Sequence, residues 1–125
     1  PSELLYTEEH EWARREEGDV VCIGITAFAQ EQLGSIVYVE LPEEGTEVAK
    51  GDPIGQIEST KSVSEIYAPV SGQIVEVNGV LEGSPELLNS NPYEDGWILR
   101  IRLESPDELE ELLPSSEYSD QIADV

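Results

Sequence analysis

Apart from carboxylates, the residue types that do chemistry are sparse in this chain. It holds one cysteine, Cys22, one histidine, His10, and two lysines, Lys50 and Lys61. One Cys and one His far apart in sequence argue against a zinc site or a Cys–His catalytic pair. Cys22 lies in the apolar run Asp-Val-Val-Cys-Ile-Gly-Ile and reads as a small core residue, with no second thiol for a disulfide, which fits a reducing compartment. With 28 acids in 125 residues, no particular acid–base pair stands out, and acids on helical faces read as solvated. Lys61 is different. Ile54 to Ser59 and Val63 to Ala68 interleave β-branched and aromatic residues with polar ones, leaving only Thr60-Lys61-Ser62 to turn between two half-buried strands. The lysine would sit at a hairpin tip, with Glu58 and Glu65 on the two arms. A lysine in such a place is ordinarily a solvated charge. A chain with two lysines is not using lysine as surface filler, however, and the geometry suits a post to which another enzyme attaches something.

The elements that must hold this hairpin are mostly strands. Tyr6 to Arg15 alternates loosely and leads through Gly18 into Val20–Ile25, the economical reading being a hairpin. Thr26 is placed to cap a short helix from Ala27 to Leu33 that stops at Gly34. Ser35 to Leu41, Gln73 to Val77 and Trp97 to Leu103 read as further strands, the last with arginines on its wet side. Ser84-Pro85-Glu86 starts a helical turn. Ser105-Pro-Asp-Glu reads as a capping box opening a helix from Pro106 to Leu113, and 116–122 as a last acidic helix or a fraying tail. Val48-Ala-Lys-Gly-Asp-Pro echoes Val80-Leu-Glu-Gly-Ser-Pro at an offset of 32 residues, suggesting two β-halves that meet near Lys61. The pattern predicts a mainly β fold, a small sandwich or flattened barrel with short helices and a helix docked at the C-terminal end.

A chain of this length makes one domain. No stretch is apolar enough to span a bilayer, and the N-terminus lacks signal-peptide zones, which reads as a soluble protein; the missing initiator Met hints at trimming. Twenty-eight acids against 6 Lys plus Arg give a formal net charge of −22. Such a surface repels phosphate backbones and anionic headgroups, disfavours nucleic acid and membranes, and suits basic partner proteins. It also fits a high-salt interior, where the repulsion is screened.

The segment Glu58-Ser-Thr-Lys-Ser-Val-Ser-Glu-Ile-Tyr-Ala-Pro-Val-Ser-Gly72 resembles the lipoyl-lysine segment of the glycine cleavage system H proteins. The likeness extends to other blocks in the family's order. Tyr6-Thr-Glu-Glu-His-Glu-Trp12 resembles its N-terminal signature. Gly24-Ile-Thr26, Ala29-Gln30, Leu33-Gly34 and Val37-Tyr-Val-Glu-Leu-Pro42 resemble the next block, and Pro85-Glu-Leu-Leu-Asn89, Asn91-Pro-Tyr93 and Gly96-Trp97 the C-terminal ones. Residues 6–113 are covered, leaving 114–125 as an acidic extension of a single domain. Ala27 and Ser35 stand where members usually carry an acid, and Glu94-Asp95 replaces the more familiar Gly-Glu.

The resemblance implies a lipoyl-domain-like β-sandwich, a barrel-sandwich hybrid, whose Lys61 receives lipoic acid in amide linkage. It implies a monomeric carrier without catalysis of its own. The carrier takes an aminomethyl group from glycine decarboxylase, yields it to a folate-dependent aminomethyltransferase and is reoxidised by dihydrolipoamide dehydrogenase. Glu58, three residues before the lysine, and Gly72, eleven after it, match positions that guide the lipoylating enzyme, while Glu65 is equally a solvated strand carboxylate. The implied compartment is the cytoplasm, or the mitochondrial matrix or plastid where a transit peptide has been removed. The departures leave room for an H-like lipoate carrier of another pathway, such as sulfur oxidation. A biotin carrier usually flanks its lysine with methionine, and this chain has none. A plain interaction module would not need Lys61 at all.

Overall fold

Short alternating runs separated by turn residues fold here into two antiparallel sheets. The computed structural model describes residues 4–114, 117 and 118. The larger sheet contains β1 (Leu5–Tyr6), β2 (Glu11–Arg15), β3 (Val20–Ile25), β5 (Glu47–Val48), β8 (Gly72–Val77), β9 (Leu99–Leu103) and β10 (Leu113–Pro114), in the order β10-β1-β2-β3-β9-β8-β5. The smaller one is β4 (Ile36–Glu40), β6 (Pro53–Ser59) and β7 (Val63–Tyr67), with β6 central. The mainly β reading therefore holds.

The inward faces meet in one core. Val21, Ile23, Ile74, Leu99 and Ile101 of the larger sheet pack with Val39, Ile57 and Ile66 of the smaller. Each such side chain, fully buried, contributes about 1.5–3 kcal/mol. Leu81 from α2 (Val80–Gly83) and Leu88 from α3 (Leu87–Ser90) join the same core, which explains why two helices of four residues persist. The β2–β3 hairpin forms as expected, with Gly18 and Asp19 at positive φ in its turn. Trp12 lies across Gly24 of β3, where a Cβ would fall 2.5 Å from the ring, and its Nε1 donates to the Pro92 carbonyl at 3.0 Å.

Helix α1 (Ala27–Leu33) also forms where the sequence places it. Thr26 Oγ1 accepts from the Ala29 N–H at 3.1 Å, and Gly34 ends the helix at φ 81°, its N–H donating to the Gln30 carbonyl at 2.9 Å.

Two expectations fail. The capping box does not form, because Ser105 makes no side-chain cap bond and Glu108 turns away to Ser71. Its two carboxylate oxygens accept from the Ser71 N–H at 2.7 Å and the Ser71 hydroxyl at 3.0 Å. Pro106–Glu111 is consequently a short 3-10 stretch that runs into β10, rather than an α-helix to Leu113. The 32-residue echo marks no structural repeat either. Its first copy is strand and turn, with Gly51 at φ 91°, whereas its second is α2, where Gly83 has no positive φ. Shared Val, Gly and Pro do not fix the backbone that each glycine adopts. The tail helix expected over 116–122 lies outside the described residues, except Glu117 and Tyr118. Among the described residues no helix is long and apolar enough to cross a membrane.

Candidate attachment site at the Lys61 turn

Strands β6 and β7 pair in register from Glu58↔Val63 inward, leaving Ser59–Ser62 as the turn. Ser59 organises it. Its N–H donates to the Ser62 carbonyl at 2.8 Å; its hydroxyl donates to the same carbonyl at 3.2 Å and accepts from the N–H groups of Lys61 and Ser62 at 3.3 and 3.1 Å. A hydroxyl that donates once and accepts twice is fully used. The Thr60 N–H donates to the Ser35 carbonyl at 3.1 Å, fastening the tip to the loop after α1. The backbone of Lys61 is thus held on both sides, while its side chain is exposed.

That loop is itself clamped by Asn89. Its amide nitrogen donates to Gln30 Oε1 at 2.9 Å and to the Gly34 carbonyl at 2.8 Å, and its Oδ1 accepts from the Ile36 N–H at 2.9 Å. Gly34 lies against the lysine stem, with a Cβ there falling 3.4 Å from Lys61 Cε. Among the described residues Lys61 Nζ has no hydrogen bond or ion pair, whereas Lys50 Nζ is held by Glu111 at 2.6 Å.

The other expected site residues divide between the sheets. Glu58 and Glu65 are exposed on the outer face of the smaller sheet, in successive cross-strand rows, Tyr38–Glu58–Val63 and Glu40–Gln56–Glu65. Gly72 belongs to the larger sheet and is buried, opposite Leu103. A Cβ there would fall 2.0 Å from the Arg102 carbonyl oxygen, so the chain's own β8–β9 contact demands a glycine.

Between α1 and β7 runs a cleft of about 140 Å³, walled by Ile25, Leu33 and Ile57 and bordered by His10, Glu11 and Glu65. Glu11 is 2% exposed, accepts from the Tyr67 N–H at 2.7 Å and from Thr7 Oγ1 at 3.4 Å, and so ties the larger sheet to the edge of the smaller. Burial pushes its carboxyl up to about 8. Burial also holds the His10 imidazole below its ordinary value. His10 Nδ1 lies 2.9 Å from the Tyr118 hydroxyl, which is 2.8 Å from Thr26 Oγ1. Cys22 is buried and its thiol is pushed up to about 11, consistent with a packing residue.

Sequence reasoning passed over Ser59, Asn89 and Glu11. Ser59 carried a usable signal, since serine beside a tight turn commonly bonds backbone two or three residues on. Asn89, at the end of a short helix before Ser-Asn-Pro, reads as an ordinary loop residue, and a buried glutamate in a strand that alternates only loosely has no signature.

The family described as "Glycine cleavage H-protein" matches residues 4–125. A glycine cleavage system H protein of Listeria monocytogenes serotype 4b is 59% identical over 118 residues, covering 94% of each chain. One from Anaeromyxobacter sp. (strain K) is 52% identical over 118 residues, covering 94% of this chain and 91% of that one. The crystal structure of the H protein from Mycobacterium marinum superposes with a TM-score of 0.90 at 41% identity, over 98% of both chains. The chain therefore belongs to the glycine cleavage H-protein family, whose members are lipoyl carriers of the glycine cleavage system and not its catalysts.

Proposed function

We propose that lipoic acid is joined to Lys61 through an amide and that the chain carries it among the enzymes of glycine cleavage. The observation that carries this reading is the contrast between the two lysines: Lys50 is engaged by Glu111, while Lys61 stands unpaired at the tip of an anchored turn. The residues fit the group. An exposed primary amine on a four-carbon stem can be acylated without breaking a hydrogen bond or ion pair of its own, and a carboxylate-rimmed cleft with apolar walls runs between α1 and β7. When bound, the lipoyl group would supply a disulfide able to carry an aminomethyl unit between glycine decarboxylase and a folate-dependent aminomethyltransferase, with dihydrolipoamide dehydrogenase as the partner that reoxidises it.

The chain's own residues hold and present. Ser59, Ser35 and Asn89 fix where the stem begins, and Gly34 leaves it room. Glu58, on the row next to the turn, is proposed as a contact for the lipoylating enzyme, and Glu65 as a carboxylate at the cleft rim. Gly72, buried in the other sheet, would serve lipoylation only by keeping the fold. One core joining both sheets supports a single domain, which we propose acts as a monomer, and bacterial relatives support a cytoplasmic setting.

Intact mass followed by peptide mapping, on protein expressed with an active lipoylating enzyme and lipoate, tests the site. One lipoyl increment on the peptide containing Lys61, absent in Lys61→Arg, is expected. No increment, with a control domain modified in parallel, overturns it. Glycine–bicarbonate exchange with an active decarboxylase then tests the pathway.

A further inference from the structure

The outer face of the smaller sheet is unusually apolar beside the turn. Val37, Tyr38 and Val63 are 48%, 50% and 58% exposed. Tyr38 and Val63 flank Glu58 in one cross-strand row, the row immediately next to Ser59–Ser62. Val37 is the extra residue at the irregularity between Ile36 and Tyr38, which turns two successive β4 side chains outward instead of one. Around this patch the three strands carry Glu40, Glu58 and Glu65 and no basic residue.

We infer that Val37, Tyr38 and Val63, with Glu58 between them, form the footprint of the enzyme that acylates Lys61, and that this enzyme meets them with an apolar surface rimmed by lysine or arginine. The inference rests on Lys61 being the acylated residue. Reach selects this partner over the others. The acylating enzyme must bring the Lys61 ammonium itself into its active site, one four-carbon stem from the turn, so its surface must close over the residues next to the turn. Enzymes acting on the far end of a longer attached group need not approach them. Sign selects the rim: a face with three carboxylates and no cation in its strands attracts a positive surface and repels an acidic one. In the step served, an amide C–N bond forms between Nζ and the carboxyl carbon of an activated acyl donor such as an acyl adenylate. The bond to the activating group breaks with its electron pair leaving on that group, and the ammonium releases two protons.

The test is steady-state acylation of this protein by an ATP-dependent lipoate ligase with ATP and lipoate. Tyr38→Thr/Val63→Thr keeps β-forming side chains while removing the apolar contact. It should raise KM for the protein about tenfold, the equivalent of about 1.4 kcal/mol, with kcat little changed and Tm preserved. Tyr38→Phe should keep the wild-type KM, as should Val80→Thr, which alters an apolar side chain 61% exposed on α2. Added salt should raise the wild-type KM through the carboxylate rim. Independently of any variant, ligase should slow hydrogen exchange in 36–40 and 63–67 of the wild type and leave 99–103 unchanged. An unchanged KM in a folded double variant, or no protection of the two strands, overturns the footprint. Failure of the wild type to be acylated at Lys61 by active ligase overturns the underlying site instead.

Discussion

Glu11→Gln should stabilise this protein at neutral pH and flatten the pH dependence of its stability. The wild-type carboxyl is buried, and its pKa is raised from 4.5 to about 8. Between those values the folded chain retains a proton that the unfolded chain has released. Fewer protons on the unfolded state means that stability falls as pH rises, by up to about 1.4 kcal/mol per pH unit. The loss begins near the unfolded pKa and is complete above the folded one, amounting to about 3–5 kcal/mol across the window. Glutamine keeps an oxygen to accept from the Tyr67 N–H, which Glu11 now holds at 2.7 Å, and has no charge to desolvate.

A second effect runs in the same direction and must be separated. Titration of the exposed acids builds the net charge toward −22, and their repulsion also weakens the fold as pH rises. Salt discriminates, since at about 1 M it shortens the screening length to about 3 Å and suppresses surface repulsion, while barely touching a carboxyl inside the protein. Urea unfolding from about pH 5 to 8 in high salt, on wild type and variant, isolates Glu11 as the difference between two curves. The difference should grow steadily with pH, the variant becoming the more stable. Parallel curves would refute the reasoning, because they would mean that Glu11 is ionised in the folded protein throughout.

Two further outcomes follow from local geometry. Gly72→Ala should destabilise by about 3 kcal/mol or more in denaturant unfolding, because its Cβ would meet the Arg102 carbonyl oxygen at 2.0 Å and the β8–β9 pairing must part. Asn89→Ala should cost about 2–4 kcal/mol, leaving the Ile36 N–H and the Gly34 carbonyl without their partner, and should speed amide exchange in Ser59–Ser62.

How far the site could be read ahead depended on whether its parts were local. The hairpin was legible, because alternation over Ile54–Ser59 and Val63–Ala68 is a property of consecutive residues, and three leftover residues can only turn; the strands form as Pro53–Ser59 and Val63–Tyr67. Helix α1 was legible through Thr26 and Gly34 for the same reason. What the lysine rests on was not. Asn89 lies 53 residues from Ile36 and 55 from Gly34, so nothing near it in sequence announces the clamp. Glu108 illustrates the converse failure. Its spacing from Ser105 satisfied the local rule, yet Ser71, 37 residues away, offered two donors, and two bonds to the carboxylate displaced the cap. Local patterns survive when no distant group competes for the same atoms.

The same distinction explains why the proposed attachment at Lys61 need not alter the fold. Forming an amide removes one positive charge, taking the formal net charge from −22 to −23 by subtraction of that single unit. If the ammonium were paired with Glu58 or Glu65, that change would also remove an ion pair at the mouth of the hairpin. No such pair exists among the described residues. The turn is held by the Ser59 hydroxyl and by the bond from the Thr60 N–H to the Ser35 carbonyl, none of which involves Nζ. Charge loss therefore falls on a side chain that contributes nothing to the turn. The chain can present the same tip before and after the proposed modification, as the proposed carrier role requires.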